Sequence, residues 1–112
     1  MAGKFTIYKT DSGKFRFNLK SGNGEIILVS ELYNAKASAK NGVESVRKHA
    51  VDEKYFERKM SKKEQPYFVL KAANHQIIGT SEMYSTESGM ENGIKSVATN
   101  APEAKLVDET VE

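Results

Sequence analysis

Phe17-Asn18-Leu19-Lys20 returns as Phe68-Val69-Leu70-Lys71, and Asn41-Gly42-Val43-Glu44-Ser45-Val46 returns as Asn92-Gly93-Ile94-Lys95-Ser96-Val97, both at an offset of 51 residues. The same offset carries Ile26-Ile27 onto Ile77-Ile78 and Ser30-Glu31-Leu32-Tyr33 onto Ser81-Glu82-Met83-Tyr84. Between residues 5 and 50 and their partners, 15 of 46 positions are identical without a gap. The chain is an internal duplication, with a first repeat over 4–53 and a second over 54–110. Each copy is close to the smallest size that is stable without disulfides or metals, so the expectation is a single domain over 1–112 with one shared core.

Working outward from the first quoted stretch, Lys14 to Lys20 alternates polar and apolar residues strictly, the period of a strand with one buried face. Lys4 to Tyr8 precedes it as a short strand. Asn23-Gly24 reads as a two-residue type I′ turn, and Glu25 to Val29 as the returning strand. After Asn34 the period changes. Ala39, Val43, Val46 and Ala50 are spaced 4, 3 and 4, as are Met90, Ile94, Val97 and Ala101, which marks one apolar stripe on each of two helices. Asn34 and Ser85 stand at the expected N-cap positions, and Pro102 ends the second helix.

Lys54-Tyr55-Phe56-Glu57 aligns forward with Lys105-Leu106-Val107-Asp108 and, through Phe56, backward with Phe5. The middle segment therefore closes one unit and opens the next. The fold expected is α+β: two tandem β-β-β-α(-β) repeats forming one pseudo-twofold antiparallel sheet with two helices, the terminal strands exchanged between repeats.

Composition narrows the function. The chain has no cysteine, which removes disulfides and thiolate chemistry and is usual in a reducing compartment. No apolar run is long enough for a membrane span and the N-terminus lacks a secretion signal, so a cytoplasmic protein is the expectation, with no membrane partner. Net charge is only +2, but residues 1–51 carry nine Lys or Arg against four Asp or Glu, while residues 52–112 carry eight against eleven. An anion would dock on the first copy.

Three repeated features are candidates for a site. Glu31 with Tyr33, and Glu82 with Tyr84, pair a carboxylate with a phenol at a strand-to-helix step; without a nucleophile or second acid at a recurring spacing, the expectation is structural packing of the tyrosine under the helix. Gly42 and Gly93 interrupt the helices at equivalent places, where glycine costs about 1 kcal/mol relative to alanine, so close approach of helix and sheet is expected. The third is the sheet face opposite the helices. A two-residue turn at Asn23-Gly24 would direct Phe15, Phe17, Leu19, Ile26 and Leu28 to one side. Tyr8, Lys14, Arg16, Lys20, Ile27 and Val29 would lie on the other, joined by Tyr67, Val69, Lys71 and Ile78. From that second face Tyr8, Arg16, Lys20, Ile27 and Tyr67 are the candidate binding residues. His49 and His75 have no partners at metal-ligand spacing, and His75 takes the turn position of Gly24, where histidine tolerates positive φ. No cofactor, metal or catalytic group is expected.

The F-R-F-x-L-K strand, the N-G turn, the S-E-x-Y step and the helical N-G-[VI]-x-S-V signature together resemble the YegP-like family of uncharacterised small bacterial tandem-repeat proteins, over residues 4–110. The resemblance implies three strands, a helix and a strand per unit, assembled around one sheet. It implies no substrate, cofactor or catalytic residue, because that family has none established. Arg58, Pro66 and His75 depart from the motif in the second copy and place any site in the first copy or at the junction. The function expected is a monomeric, non-catalytic binding or protein-interaction module, not an enzyme. The alternative is a single-stranded nucleic-acid binder using the open face, where rings stack on bases and cations meet phosphates.

Overall fold

A computed structural model describes residues 3–110. The first copy supplies β1 (Lys4–Lys9), β2 (Phe15–Lys20), β3 (Ile26–Ser30) and α1 (Lys36–His49). A 3₁₀ turn (Glu53–Tyr55) leads into β4 (Phe56–Met60), β5 (Pro66–Lys71), β6 (Ile77–Thr80) and α2 (Glu87–Asn100). A second 3₁₀ turn (Ala101–Glu103), entered through Pro102, then releases β7 (Lys105–Asp108).

All seven strands form one sheet in the order β4-β5-β6-β3-β2-β1-β7. The two copies meet where β3 pairs antiparallel with β6, Val29 opposite Thr80. β7 crosses to the first copy and pairs with β1, but in parallel register, so the sheet is mixed: antiparallel from β4 to β1 and parallel at the β1–β7 edge. The exchange runs one way. Phe56, not Lys54, begins the strand after α1, and Phe56 pairs with Leu70 as Phe5 pairs with Leu19; the segment opens the second copy, with no closing strand beside it among the described residues.

Both helices lie on one face. The stripe Ala39, Val43, Val46 and Ala50 is fully buried, as are Val97 and Ala101, against Phe5, Phe17 and Leu19 of one copy and Phe68 and Leu70 of the other. α1 covers β1 and β2 and reaches β6; α2 covers β5 and reaches β3. Each helix thus bridges both copies, the physical basis of a shared core.

Three local expectations are corrected. The Asn23-Gly24 turn is not a two-residue loop: only Gly24 has positive φ (87°), Gly24 N–H donates to Ser21 O, and Ser21 N–H donates to Glu25 O. That is a longer loop ending in a left-handed glycine, and it inserts a bulge: Leu19 faces Leu28, but Lys20 faces Ile26, leaving Ile27 as the extra residue. Ile27 therefore turns under the helices, as Ile78 does in the second copy, and Ile26 faces out. The helix caps fall one residue later than Asn34 and Ser85. Thr86 caps α2, its hydroxyl accepting from Gly89 N–H at 2.9 Å, whereas Ala35 at the same place on α1 offers no cap. His75 does occupy the left-handed position, with φ 70°.

Candidate binding face

The S-E-x-Y step and the helical glycine turn out to be one device. Ser30 ends β3 and Ser81 follows β6; both are buried, and their hydroxyls accept from Phe17 and Phe68 N–H at 2.9 and 3.0 Å. Three residues on, Tyr33 stacks on Phe17 and Tyr84 on Phe68, ring centroids 6.2 and 6.3 Å apart, with their hydroxyls under Gly42 and Gly93. Burial, reinforced by Glu31, raises the Tyr33 pKa; burial, then Glu82 and Glu25, does the same for Tyr84. A phenol made harder to ionise is a poor general base at neutral pH.

His49 is also engaged. Its Nδ1 lies 2.8 Å from the Ser45 carbonyl, to which it donates, so Nε2 is left to accept from Ala73 N–H at 3.2 Å. The ring packs edge-on against Tyr55, tying α1 to the second copy's hairpin. Among the described residues no three His, Asp or Glu side chains gather as a metal site, and no helix is long and apolar enough to cross a membrane.

The face away from the helices carries no second layer among the described residues. Register places on it Lys4, Thr6 and Tyr8 of β1; Arg16, Asn18 and Lys20 of β2; Lys105 and Val107 of β7; and, from the other copy, Glu57, Lys59, Tyr67, Val69 and Lys71. Of the five candidate residues, Tyr8 and Arg16 are direct cross-strand partners and Lys20 shares their face, while Tyr67 stands on β5, three strands from β2, and Ile27 is buried on the opposite side.

Strand order also reveals cations that linear reading did not collect. The strand positions of this face hold Lys4, Arg16, Lys20, Lys59, Lys71 and Lys105 against the single carboxylate Glu57. Glu57 pairs with Lys71 and, at 3.2 Å, with Lys59, and those bonds pull its pKa down. Lys4, Arg16, Lys20 and Lys105 have no ion pair among the described residues. All four lie on the adjacent strands β7, β1 and β2.

Between the row Lys105-Lys4-Lys20 and the pair Tyr8-Arg16 runs a low, uncharged row, Val107-Thr6-Asn18. Thr6 and Asn18 are only 2% and 8% exposed beneath their longer neighbours, and Thr6 Oγ1, Asn18 Oδ1 and Arg16 Nε have no hydrogen-bond partner among the described residues. Three unpartnered polar atoms on one patch are uncommon, because each buried one costs about 1–3 kcal/mol. Their second-copy counterparts are Glu57, Val69 and Tyr67, so this trio of polar atoms is not repeated at the other end of the sheet.

Comparison with known proteins matches this architecture. A family described as a domain of unknown function, DUF1508, matches twice, over residues 11–57 and 61–108. A UPF0339 protein of Acinetobacter baylyi is 52% identical over 98% of this chain and 99% of its own length, and YegP of Escherichia coli K12 is 49% identical over 98% and 100%. The solution structure of E. coli YegP, described as a protein of unknown function, superposes with a TM-score of 0.94 at 48% identity, covering all of this chain and 97% of that one. A UPF0339 protein of Shewanella oneidensis gives the same score and identity, covering 95% of its chain. Two DUF1508 repeats in one mixed sheet, with close relatives along the whole length, establish that the chain belongs to the bacterial UPF0339 (YegP) family.

Proposed function

We propose that the protein is a non-catalytic binding module that takes an extended polyanion, a single-stranded nucleic acid, on the open face of β7, β1 and β2. The observation that carries this reading is the set of four cations without an ion pair among the described residues, Lys4, Arg16, Lys20 and Lys105, gathered with Tyr8 on three adjacent strands. Cations on both sides of a low row suit a chain with phosphates along it, and the tyrosine offers a ring for a base. Thr6 and Asn18 supply unpartnered polar atoms on the floor.

The local alternation gathers Lys14, Arg16, Lys20 and Lys71 on this face and ranks protein contact first, but Lys71 is paired with Glu57 and lies in the other copy. Adding Lys4 and Lys105 beside Arg16 and Lys20 reverses that order. A duplex partner fits poorly, since both helices lie on the far side and none is presented to a groove. A non-catalytic role is supported by the engagement of His49 and the raised tyrosine pKa values described above.

The reading is tested by NMR titration with pyrimidine oligonucleotides. It expects amide shifts at Thr6, Tyr8, Arg16, Asn18 and Val107 and little change at Tyr67 or Val69. Shifts spread evenly over both copies, or none at low salt, would rule it out.

A further inference from the structure

The two outer edges of the sheet are pseudo-equivalent, yet one is covered and the other is not. On the first, β7 runs parallel to β1, with Leu106 beside Phe5 and Asp108 beside Ile7, and the carbonyls of Gly3 and Ile7 accept from Lys105 and Glu109 N–H at 3.3 and 2.8 Å. On the second, the counterparts of Phe5 and Ile7 are Phe56 and Arg58 of β4, which has β5 on one side and no strand on the other among the described residues. The duplication explains the imbalance: the one segment after α1 serves as an opening strand of the second copy and not as a closing strand of the first.

The uncovered edge is shaped, not merely vacant. On the covered side Arg47 of α1 lies 5.4 Å over the Phe5 ring and donates to the Ala104 carbonyl at 2.6 Å, while Leu106 packs on the core. Its counterpart on α2 is Ala98. A cleft of about 250 Å³ results between Phe56, Ile94 and Ala98, rimmed by Val51, which is 63% exposed. Further along β4 a second cleft of about 400 Å³ lies between Arg58, Met60, Glu87 and Met90.

Charge differs between the edges as well. Lys36 of α1 holds Asp108 at 2.6 Å, and the residue in its place on α2 is Glu87. Arg58 is already bonded to Glu53 and Glu91, at 2.6 and 2.5 Å. Glu53, Glu87 and Glu91 thus lie about one guanidinium, with Lys95 on the rim of the first cleft and Lys59, itself paired with Glu57, on that of the second.

We propose that β4 accepts an additional strand, an extended peptide of a partner protein lying parallel to it. An aliphatic side chain fills the Ile94–Ala98 cleft beside Phe56, and a lysine or arginine two residues later sits beside Arg58 facing Glu87. Backbone bonds along the edge supply attachment, and the cleft and the carboxylates supply selectivity. A second copy of this chain is a poorer occupant. Its β7 is held on its own β1, where Lys36 bonds Asp108, and it carries that aspartate where a cation is wanted. The proposal does not depend on the polyanion face, because the two surfaces lie at opposite ends of the sheet.

The test is an NMR titration of the isotope-labelled full chain with two synthetic peptides of residues 103–112, one with the natural sequence and one carrying Asp108→Lys. The Asp108→Lys peptide should shift the amides of Arg58, Met60 and Ile94 and bind about fivefold more tightly than the natural one, the effect of replacing one repulsive surface charge pair by an attractive one. In a Glu87→Lys chain the preference should reverse, with the rest of the spectrum unchanged. Shifts at β1 instead of β4, no shifts at millimolar peptide, a preference that ignores Glu87→Lys, or concentration-dependent self-association through β4 would each overturn the proposal.

Discussion

The Tyr33 hydroxyl occupies the space that a side chain on Gly42 would need: a Cβ built on that glycine would lie 2.5 Å from the hydroxyl oxygen and 2.9 Å from both the ring carbon bearing it and Phe17 Cε2. Gly93 and Tyr84 repeat the relationship, with Phe68 Cε2 at 3.2 Å. Gly42→Ala should therefore lose about 1–3 kcal/mol through overpacking, although helix propensity alone favours alanine by about 1 kcal/mol. Adding Tyr33→Phe should recover part of the loss. Denaturant titration of both single variants and the double measures the coupling, and a gain in stability from Gly42→Ala alone would break the account.

Helix α1 has Ala35 at its N-cap position and no side-chain cap, whereas the hydroxyl of Thr86 caps α2. Ala35→Asp should stabilise the fold by about 1 kcal/mol and Thr86→Ala should cost about as much. Opposite shifts of the two melting temperatures are the expected result.

The β7 edge is fastened by charge. Lys36 bonds Asp108 at 2.6 Å and donates to Thr110 Oγ1 at 2.9 Å, and Thr110 N–H donates to Asp108 at 2.8 Å. The lysine above all, then Thr110, holds the Asp108 carboxyl well below the usual carboxylate range. A lowered folded-state pKa means that this contribution is present above the unfolded-state value of about 4 and is lost as pH falls below it. Asp108→Asn should therefore lower stability at neutral pH and flatten its decline below about pH 4. Deleting residues 104–112 should lower the melting temperature further, because the β1 edge loses its parallel ladder and Leu106. An unchanged melt would show that β7 contributes nothing.

Most of this architecture was legible because the duplication doubled every signal. The Phe17-Asn18-Leu19-Lys20 alternation, the two helical stripes and the closing strand at Lys105 all stand where the pattern puts them. Ile27 was not legible: a single left-handed residue at Gly24 and a left-handed pair at Asn23-Gly24 suit the same dipeptide, yet differ by one bulge that turns the next isoleucine over. The cations of the open face were hidden for another reason. Lys4 meets Lys20 through the β1–β2 register, and Lys105 joins them only when β7 crosses to β1, a long-range pairing that no local period encodes.

The central functional claim rests on that basic patch, and fluorescence anisotropy with labelled pyrimidine RNA and DNA at several salt concentrations tests it most directly. Four phosphate contacts on a single strand predict a log–log salt slope of about −3, reduced by about half in an Arg16→Ala, Lys20→Ala chain and accompanied by weaker binding when Tyr8 is replaced by alanine. Binding that is absent at low salt, or that ignores both salt and those substitutions, would contradict the account.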